Sequence, residues 1–417
     1  MKVLWVTNTE INSIARKFGA TIVVGGWLEQ TAGLLTQDES ISLCMACNTT
    51  NEYFDEVVDG VSYYSFDNIK NTSGLDARIG KILDHVKPDV VHIWGTEYSH
   101  SLKFVNACIE RNIGSRVVVS IQGMVSVYPI HFFANLPYSV VNHRTLKEFL
   151  RPNINGTRET MIRNGENEIR TIELAQHCIG RTDWDHACVT QINGGINYYH
   201  VDEILREPFY EAPSWEYEKC NKKTIFFSQA DYPVKGFHTM LQALPIIKKS
   251  YPDVVVNVLG EDPFNCGFKQ KLMRRSYTKY IMDLIVKLGL KDNVNWLGRL
   301  DADQMVKQYL GANVFVCSSS IENSSNSIAE AMILGVPVVA SDVGGIKSFM
   351  THEEDGIIFH DEAYYMLADA VMKVFASPEL ASRLGSNARE RALKIHDRDI
   401  NMRKLMDVYI TVNEGKK

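Results

Sequence analysis

The stretch from Ser318 to Gly345 reads SSSIENSSNSIAEAMILGVPVVASDVGG and decides how the second half of the chain folds. One apolar run, 314–316, precedes it and another, 336–340, lies within it; both are bounded by Ser, Gly or Pro, as buried parallel strands are. Between the runs, 327–334 places apolar side chains on one helical face, and Gly335 suits the end of a helix. The stretch therefore predicts a strand, a polar loop, a helix and a second strand. In an open parallel sheet such a loop lies at the carboxyl edge, where ligands bind.

Two glutamates in this stretch, Glu322 and Glu330, have seven residues between them. Taken alone, Glu330 has a structural interpretation as the far end of a capping box that begins at Ser327. Glu322 lies in the polar loop beside Asn323 and Ser324, and its simplest interpretation is a solvated loop carboxylate. Replacing such a side chain would have little effect on stability.

The composition is that of an ordinary globular protein. A chain of 417 residues exceeds one typical core, so two domains are expected. The net charge of −6 argues against a general nucleic-acid binder. The N-terminal run 1–7 lacks the apolar length of a signal peptide, and no segment approaches the length of a membrane helix. Eight scattered cysteines, with only one CxxC, indicate reduced thiols and a cytoplasmic location.

Alternating strand and helix patterns run through both halves of the chain. They predict an α/β fold of two Rossmann-like, doubly wound parallel-sheet domains. The first domain covers 1–207, and a helix at 398–417 is expected to pack back onto it. An irregular, proline-containing linker follows at 208–222, and the second domain covers 223–397.

Loops that follow the predicted strands of the first domain should meet at one sheet edge. They supply Gly25 and Gly26, Glu97, Gln122, and the pair Arg181 and Asp183. Gly25-Gly26 before a helix could approach a phosphate or simply make a tight turn. Glu97, Arg181 and Asp183 lie at predicted strand ends and could face a ligand, and solvated turn residues are the equal alternative. A GxGxxG after a strand and a GxxxxGK[ST] are both absent, which argues against dehydrogenases and P-loop proteins.

In the second domain, Lys235 directly precedes a predicted helix start. The N–H groups and dipole of such a start favour an anion, and a lysine adds a charge-assisted contact to phosphate. An ordinary exposed lysine is the alternative.

The segment from Tyr128 to Arg170 combines clustered aromatic residues with many arginines. One interpretation is aromatic core packing followed by solvated helices, because interspersed glutamates dilute the positive charge. The other is a surface that meets a membrane interface or an anionic lipid phosphate.

Together these features resemble glycosyltransferase family 4, whose members have the GT-B architecture. Glu322 and Glu330 match the E-x7-E pattern of that family, and Lys235-Gly236 matches its lysine-glycine after the first strand of the donor domain. The run 294–298 resembles its strand beside the nucleotide, and Gly25-Gly26 matches its glycine-rich turn. The resemblance implies two domains that face a cleft.

The same resemblance implies roles for individual residues. Glu330 would accept hydrogen bonds from ribose hydroxyls, and Glu322 would hold the donor sugar as the catalytic carboxylate. Asn323 and Ser324 would lend polar contacts, and Lys235 would neutralise the diphosphate. Gly25 and Gly26 would approach the diphosphate from the facing domain. Glu97, Arg181 and Asp183 would be the candidates for orienting the acceptor hydroxyl. The sugar nucleotide is then a substrate, and neither a cofactor nor a metal is expected.

Three positions depart from the family pattern. Ala230 stands where the family has an arginine, so Arg299 is the substitute candidate for the phosphate. Gln122 stands where a histidine normally approaches the donor sugar, and an amide carries no proton at neutral pH. Lys347-Ser348 stand where the family often has Pro-Glu. These changes indicate a distinct subgroup.

The resemblance favours a retaining transferase that moves a sugar from a nucleoside-diphosphate sugar to a hydroxyl acceptor. The acceptor would be a saccharide or lipid-linked saccharide, in surface polysaccharide or glycolipid synthesis. No contact with nucleic acid is expected, and the location is cytoplasmic, with the inner membrane face as the alternative that the segment from Tyr128 to Arg170 leaves open. Two alternatives are a catalytically weak nucleotide-sugar binding protein and an enzyme that isomerises or phosphorolyses its sugar. The E-x7-E pattern argues against the second alternative.

Overall fold

The computed structural model describes residues 1–18, 26–49, 53–67, 74–267 and 272–415. The chain divides into two compact units. The first unit comprises Met1–Ser126, Ile162–Arg206 and His396–Lys417, and the second comprises Val127–Met161 and Glu207–Ile395. Residues 127–161, which the sequence analysis assigns to the first domain, thus group with the second unit.

An eight-stranded sheet forms the centre of the first unit among the described residues, in the order β3-β4-β2-β1-β5-β6-β7-β8. Its strands are β1 (Lys2–Thr7), β2 (Ser42–Asn48), β3 (Asp55–Val58), β4 (Val61–Phe66), β5 (Val90–Trp94), β6 (Val117–Ser120), β7 (His177–Gly180) and β8 (Asn197–His200). Neighbouring strands are parallel except β3 and β4. The sequence analysis did not identify β3, β4 or β8. Of these, β3 and β8 are short and half-exposed and lack a clear apolar alternation.

A six-stranded parallel sheet forms the second unit among the described residues, in the order β11-β10-β9-β12-β13-β14. Its strands are β9 (Thr224–Phe227), β10 (Val255–Val258), β11 (Val294–Trp296), β12 (Val314–Cys317), β13 (Val338–Ser341) and β14 (Ile357–Phe359). The two strands predicted around the opening stretch, β12 and β13, are adjacent and fully buried. Parallel strands that are buried on both faces have continuous apolar sequences, which explains why the sequence pattern predicted these two strands.

Helices connect the strands on both faces of the two sheets. In chain order they are α1 (Asn12–Lys17), α2 (Gly26–Leu35), α3 (Leu75–Val86), α4 (Ser99–Glu110), α5 (Tyr128–His131), α6 (Tyr138–Val141), α7 (Leu146–Leu150), α8 (Ile154–Leu174), α9 (Asp183–Ile192), α10 (Glu207–Glu211), α11 (Phe237–Ser250), α12 (Ser276–Lys287), α13 (Ala302–Gly311), α14 (Asn326–Leu334), α15 (Ile346–Phe349), α16 (Tyr364–Ala376), α17 (Pro378–Ile395) and α18 (Arg398–Glu414).

The C-terminal helix α18 packs into the core of the first unit. Its buried Tyr409 accepts a hydrogen bond from Trp5 Nε1 at 2.9 Å, and its hydroxyl lies 2.6 Å from His92 Nδ1. The other ring nitrogen of His92 lies 2.6 Å from Ser120 Oγ. The helix that ends the chain therefore connects to three central strands of the sheet that begins it.

The region from 207 to 222 packs against the second unit. Phe209, on α10, is fully buried. The backbone N–H of Trp215 donates to Leu334 O at 2.7 Å, and its indole N–H donates to Ala312 O at 2.7 Å. Aromatic anchoring therefore fixes the path of this segment despite its irregular backbone.

Candidate functional site

The polar loop 318–325, which joins β12 to α14, is held by the loops on both sides of it. Ser318 Oγ donates to Gly236 O at 2.9 Å, and Ser320 N donates to Val234 O at 2.8 Å, which ties it to the loop after β9. On the other side, Ser341 Oγ, at the end of β13, donates to Ser319 O at 2.5 Å. The carboxyl ends of three adjacent parallel strands thus form one hydrogen-bonded edge, as expected for a ligand site in such a sheet.

Two glycines let these loops approach each other closely. Gly236 has φ +69°, and a Cβ on it would lie 1.8 Å from Ser318 O. Gly344 has φ +50°, and a Cβ there would lie 1.9 Å from Glu322 O, which accepts from Gly345 N at 3.0 Å. Both positions combine left-handed backbone with no room for a side chain, so only glycine fits.

Lys235 and Glu322, which are 87 residues apart in sequence, form an ion pair in this edge. Lys235 Nζ lies 2.6 Å from Glu322 Oε1, with 21% of the lysine side chain and 8% of the glutamate side chain exposed. Ser319 Oγ donates to the same carboxylate oxygen at 2.6 Å. The interpretation of Glu322 as a solvated loop carboxylate is therefore wrong, because tertiary contacts bury it against a cation.

The charge of Lys235 is stabilised by its surroundings. Burial alone would lower its pKa, but the adjacent Glu322 carboxylate outweighs that effect, with Tyr232 and Cys317 contributing, and raises the pKa above the ordinary value. The Tyr232 ring centroid lies 5.9 Å from the ammonium nitrogen. Lys235 is thus a permanent cation at neutral pH.

Glu330 does not close a capping box. The helix α14 begins at Asn326, and its N-cap is Ser325, which makes no side-chain capping hydrogen bond. Ser327 Oγ instead lies 3.1 Å from Ser325 Oγ, and the buried Glu330 accepts from the Tyr309 hydroxyl at 3.4 Å. The capping-box interpretation is wrong because the helix starts earlier than predicted, which places Glu330 inside it, facing α13.

The remaining predicted donor residues differ in exposure. Asn323 is buried and Ser324 is half-buried, both in the loop 318–325. Arg299, just after β11, is exposed. Desolvation raises the pKa of the Asp231 carboxyl, and the positive charges of Arg299 and Arg275 oppose that increase. Arg299 is therefore near the loop after β9, where Ala230 is buried.

In the first unit, a buried carboxylate organises the loops after β5 and β6. Glu168, on α8, accepts from Thr96 Oγ1 at 3.0 Å, from Ser126 N at 2.8 Å and from Ser126 Oγ at 2.6 Å. It also accepts from Val125 N at 3.2 Å. The sequence analysis missed Glu168 because it treated this helix as solvated, and only the fold shows that this acid points inward.

Two predicted residues lie on these loops with unsatisfied polar atoms. Among the described residues, the buried atoms without a hydrogen-bond partner include Glu97 Oε2 and Gln122 Nε2. Burial raises the pKa of Glu97 to about 7, with a further contribution from the charge of Glu168. Buried polar groups normally have partners, so a carboxyl and an amide of this kind are suited to a ligand with hydroxyl groups.

The third predicted loop contains a buried ion pair. Arg181 Nη2 lies 2.7 Å from Glu203 Oε1, with both side chains almost inaccessible. The pair lines a small cavity together with Trp94 and Asn401. Asp183 is exposed at the first position of α9, whereas Asp185 is buried and accepts from Arg181 N at 3.0 Å. The structure therefore gives Arg181 and Asp183 different surroundings.

The glycine turn is only partly described. Gly26 begins α2, and a Cβ on it would lie 3.1 Å from Arg206 Cδ. Gly25 lies outside the described residues.

Two features are absent from the described residues. No group of three or more His, Cys, Asp or Glu side chains there could hold a metal ion. No helix in that part of the chain is both long and apolar enough to cross a membrane.

Comparison with known proteins connects this edge to one family. Residues 214–391 match glycosyl transferases group 1. The matched region contains Lys235, Glu322 and Glu330. Spore coat protein SA of Bacillus subtilis is 30% identical over 173 residues, which are 41% of this chain and 44% of that protein. The chain spans about half the length of the curated relatives it matches.

Two solved structures resemble the whole chain. A sucrose-phosphate synthase of Thermosynechococcus elongatus has a TM-score of 0.72 at 15% identity and covers 100% of both chains. The Anabaena protein HepE in complex with UDP has a TM-score of 0.68 at 16% identity, covering 99% of this chain and 100% of that one. At these identities the likeness concerns the fold, and the chain has the GT-B fold.

Proposed function

We propose that the protein is a retaining glycosyltransferase of family 4 that uses a nucleoside-diphosphate sugar. The observation that carries the proposal is the Lys235–Glu322 pair, 2.6 Å apart at the carboxyl edge of the second sheet. It pairs a permanent cation, suited to a diphosphate, with a carboxylate, suited to sugar hydroxyls. The match of residues 214–391 to glycosyl transferases group 1 supports it, and UDP in the HepE complex supports a nucleoside-diphosphate donor.

In the proposed reaction, the bond from the anomeric carbon to the diphosphate breaks as the acceptor oxygen forms its bond on the same face. The acceptor proton goes to the leaving diphosphate oxygen, so no enzyme base is required, and attack on the same face requires no enzyme nucleophile. Lys235 stabilises the charge that develops on the diphosphate, because a fixed cation acts most strongly where charge appears. Arg299 adds to that stabilisation, Glu330 binds the ribose, and Glu322, Asn323 and Ser324 orient the donor sugar. No cofactor or metal takes part.

The first unit would supply the acceptor site. Glu97 and Gln122 each have a buried polar atom without a partner among the described residues, and both lie on loops that Glu168 positions. A saccharide or lipid-linked saccharide offers hydroxyl groups that both donate and accept. We propose these two residues as its contacts, and a cytoplasmic reaction in surface polysaccharide or glycolipid synthesis.

A nucleotide-sugar binding protein with weak turnover is the second candidate. It is favoured by the buried Ala230 at the position of the family arginine and by a Lys235 whose charge is already neutralised by Glu322.

The test combines binding with turnover. Thermal shift with UDP, GDP and ADP and their sugars identifies the donor, because a ligand that binds only the native state raises its stability. Release of the nucleoside diphosphate is then measured across an acceptor panel, in wild type and in Glu322→Gln. The transferase proposal expects acceptor-dependent release that Glu322→Gln abolishes. Saturable binding without release would establish the second candidate, and no binding of any nucleotide would overturn both.

A further inference from the structure

The short helix α7 (Leu146–Leu150) has the reverse of the usual amphipathic arrangement. Its acid, Glu148, is buried: it accepts from Ser276 N at 3.0 Å and from Ser276 Oγ at 2.9 Å, which docks α7 on the start of α12. Its apolar residues face outward, with Leu146 62% exposed and Phe149 71% exposed. Positions three apart lie on one helical face, so these two side chains form a single apolar ridge.

The two short helices that precede α7 in the second unit also hold large apolar side chains outward. Tyr138 on α6 is 84% exposed and Ile130 on α5 is 76% exposed, whereas Phe132 between them is buried. Aromatic core packing therefore describes only part of the cluster 128–138. Large apolar side chains that a fold holds outward, on elements fixed by buried polar contacts, mark an interaction surface.

Positive charges outnumber negative ones around the ridge. From Tyr138 to Asn153 the sequence contains Arg144, Lys147 and Arg151 and a single acid, the buried Glu148. Arg144 and Arg151 are exposed, and Lys147 is half-buried on α7 itself. Beside the ridge, a groove of about 480 Å³ has a lining that includes Leu146, Arg274 and the ion pair of Lys279 with Asp283. An apolar ridge with an excess of cations in the same segment is complementary to a surface of negative headgroups over an apolar interior.

We propose that this face, residues 130–151, docks the protein onto an anionic lipid bilayer. Leu146, Phe149 and Tyr138 enter the boundary between headgroups and acyl chains, and the three cations contact lipid phosphates. A second copy of the chain is less well matched, because a twofold interface would bring the same cations of both copies together. The inference does not rest on the proposed transferase activity.

The experiment is flotation of the full-length protein with phosphatidylcholine vesicles, with and without phosphatidylglycerol, at low and high salt. Wild type should float with the anionic vesicles only, and less at high salt, because salt screens exposed charges. Phe149→Glu should reduce the bound fraction roughly tenfold or more, since an aromatic ring that would enter the bilayer is replaced by a charge. The double variant Arg144→Glu, Arg151→Glu should reduce the bound fraction by a similar factor, since each cation contributes separately to the attraction.

Matched controls are Tyr365→Glu, at an aromatic residue that is also exposed, and Lys307→Glu, at an exposed lysine on α13. Both should bind vesicles as wild type does. Absence of wild-type binding to anionic vesicles, or equal losses in the controls, would overturn the proposal. A third result would also overturn it: the protein does not bind vesicles, forms a dimer in solution, and Phe149→Glu dissociates that dimer. The face would then join two copies of the chain. Nucleoside-diphosphate binding without lipid reports separately on the proposed activity.

Discussion

At the scale of single residues, Lys235 and Glu322 have to be considered together. The lysine offers a phosphate its charge only when Glu322 is drawn towards another partner, such as a sugar hydroxyl. Under the proposed function, donor binding would exchange one set of charge-assisted contacts for another. This exchange requires a donor that bears both the diphosphate and the sugar, so free nucleoside diphosphate should bind less tightly than its sugar conjugate.

Replacing one member of the pair should destabilise the protein, contrary to what a solvated Glu322 would predict. Lys235→Met leaves a carboxylate that is 8% exposed without its cation, and we expect a loss of roughly 2–3 kcal/mol in the free energy of unfolding. The double variant Lys235→Met, Glu322→Gln should recover part of the loss. Denaturant unfolding measures both, with Lys307→Met as the control at an exposed lysine. Equal stability of Lys235→Met and that control would show that the pair contributes nothing.

Glu97 should make stability depend on pH. Its pKa rises from the ordinary 4.5 to about 7 on folding, so the protonated carboxyl favours the folded state. That contribution is complete below pH 4.5 and is lost as the pH rises through 7. Glu97→Gln cannot ionise and should gain up to about 3 kcal/mol over wild type between pH 4.5 and 8. Chemical unfolding at several pH values measures the difference, with exposed Glu110→Gln as the control; parallel curves for all three proteins would contradict the assignment.

At the scale of elements, the candidate donor site depends on how three loops fit together. The loops after β9, β12 and β13 contact one another through serine hydroxyls and through the close approaches at Gly236 and Gly344. Elements this tightly joined transmit a change in one loop to the others. The Lys235–Glu322 distance is therefore set by backbone packing as well as by charge.

Gly236→Ala tests this packing, and Gly289→Ala is its matched control. Both glycines have positive φ, +69° and +66°, but only at Gly236 would a Cβ meet another atom, whereas the space around Gly289 is open. We expect Gly289→Ala to destabilise by about 1 kcal/mol and Gly236→Ala by several times that, with loss of nucleotide binding. Thermal unfolding and calorimetric titration of the identified nucleotide measure these effects. Equal destabilisation by the two substitutions would mean that the loops can separate freely.

At the scale of the whole molecule, the first unit is assembled from distant parts of the chain. Trp5, His92 and Tyr409 form a buried hydrogen-bond network, and burial lowers the pKa of His92 to about 3, so the ring stays neutral. The last helix thereby completes a core that the first strand begins. The free energy of folding of this unit depends on both ends of the chain.

Tyr409→Phe should destabilise the protein by about 1–3 kcal/mol, because it leaves Trp5 Nε1 and His92 Nδ1 buried without this partner. The ring itself remains, so apolar packing is retained. Equilibrium unfolding measures the effect, and Tyr365→Phe, at a tyrosine that is 62% exposed, should change stability little. A Tyr409→Phe variant as stable as wild type would show that the network contributes no net stability.

The amino-acid sequence by itself determined the α/β class, the buried strands β12 and β13 and the helix between them, since these depend on local apolar periodicity. It also singled out Lys235, which directly precedes a predicted helix start, and Glu322, which lies in the polar loop and matches the E-x7-E pattern. It could not show that the two pair with each other, that Glu330 lies within a helix, or that Glu168 points inward. Those features depend on contacts between residues far apart in the chain, such as Lys235 and Glu322. Only the folded backbone brings such residues together, and local pattern carries no information on that distance.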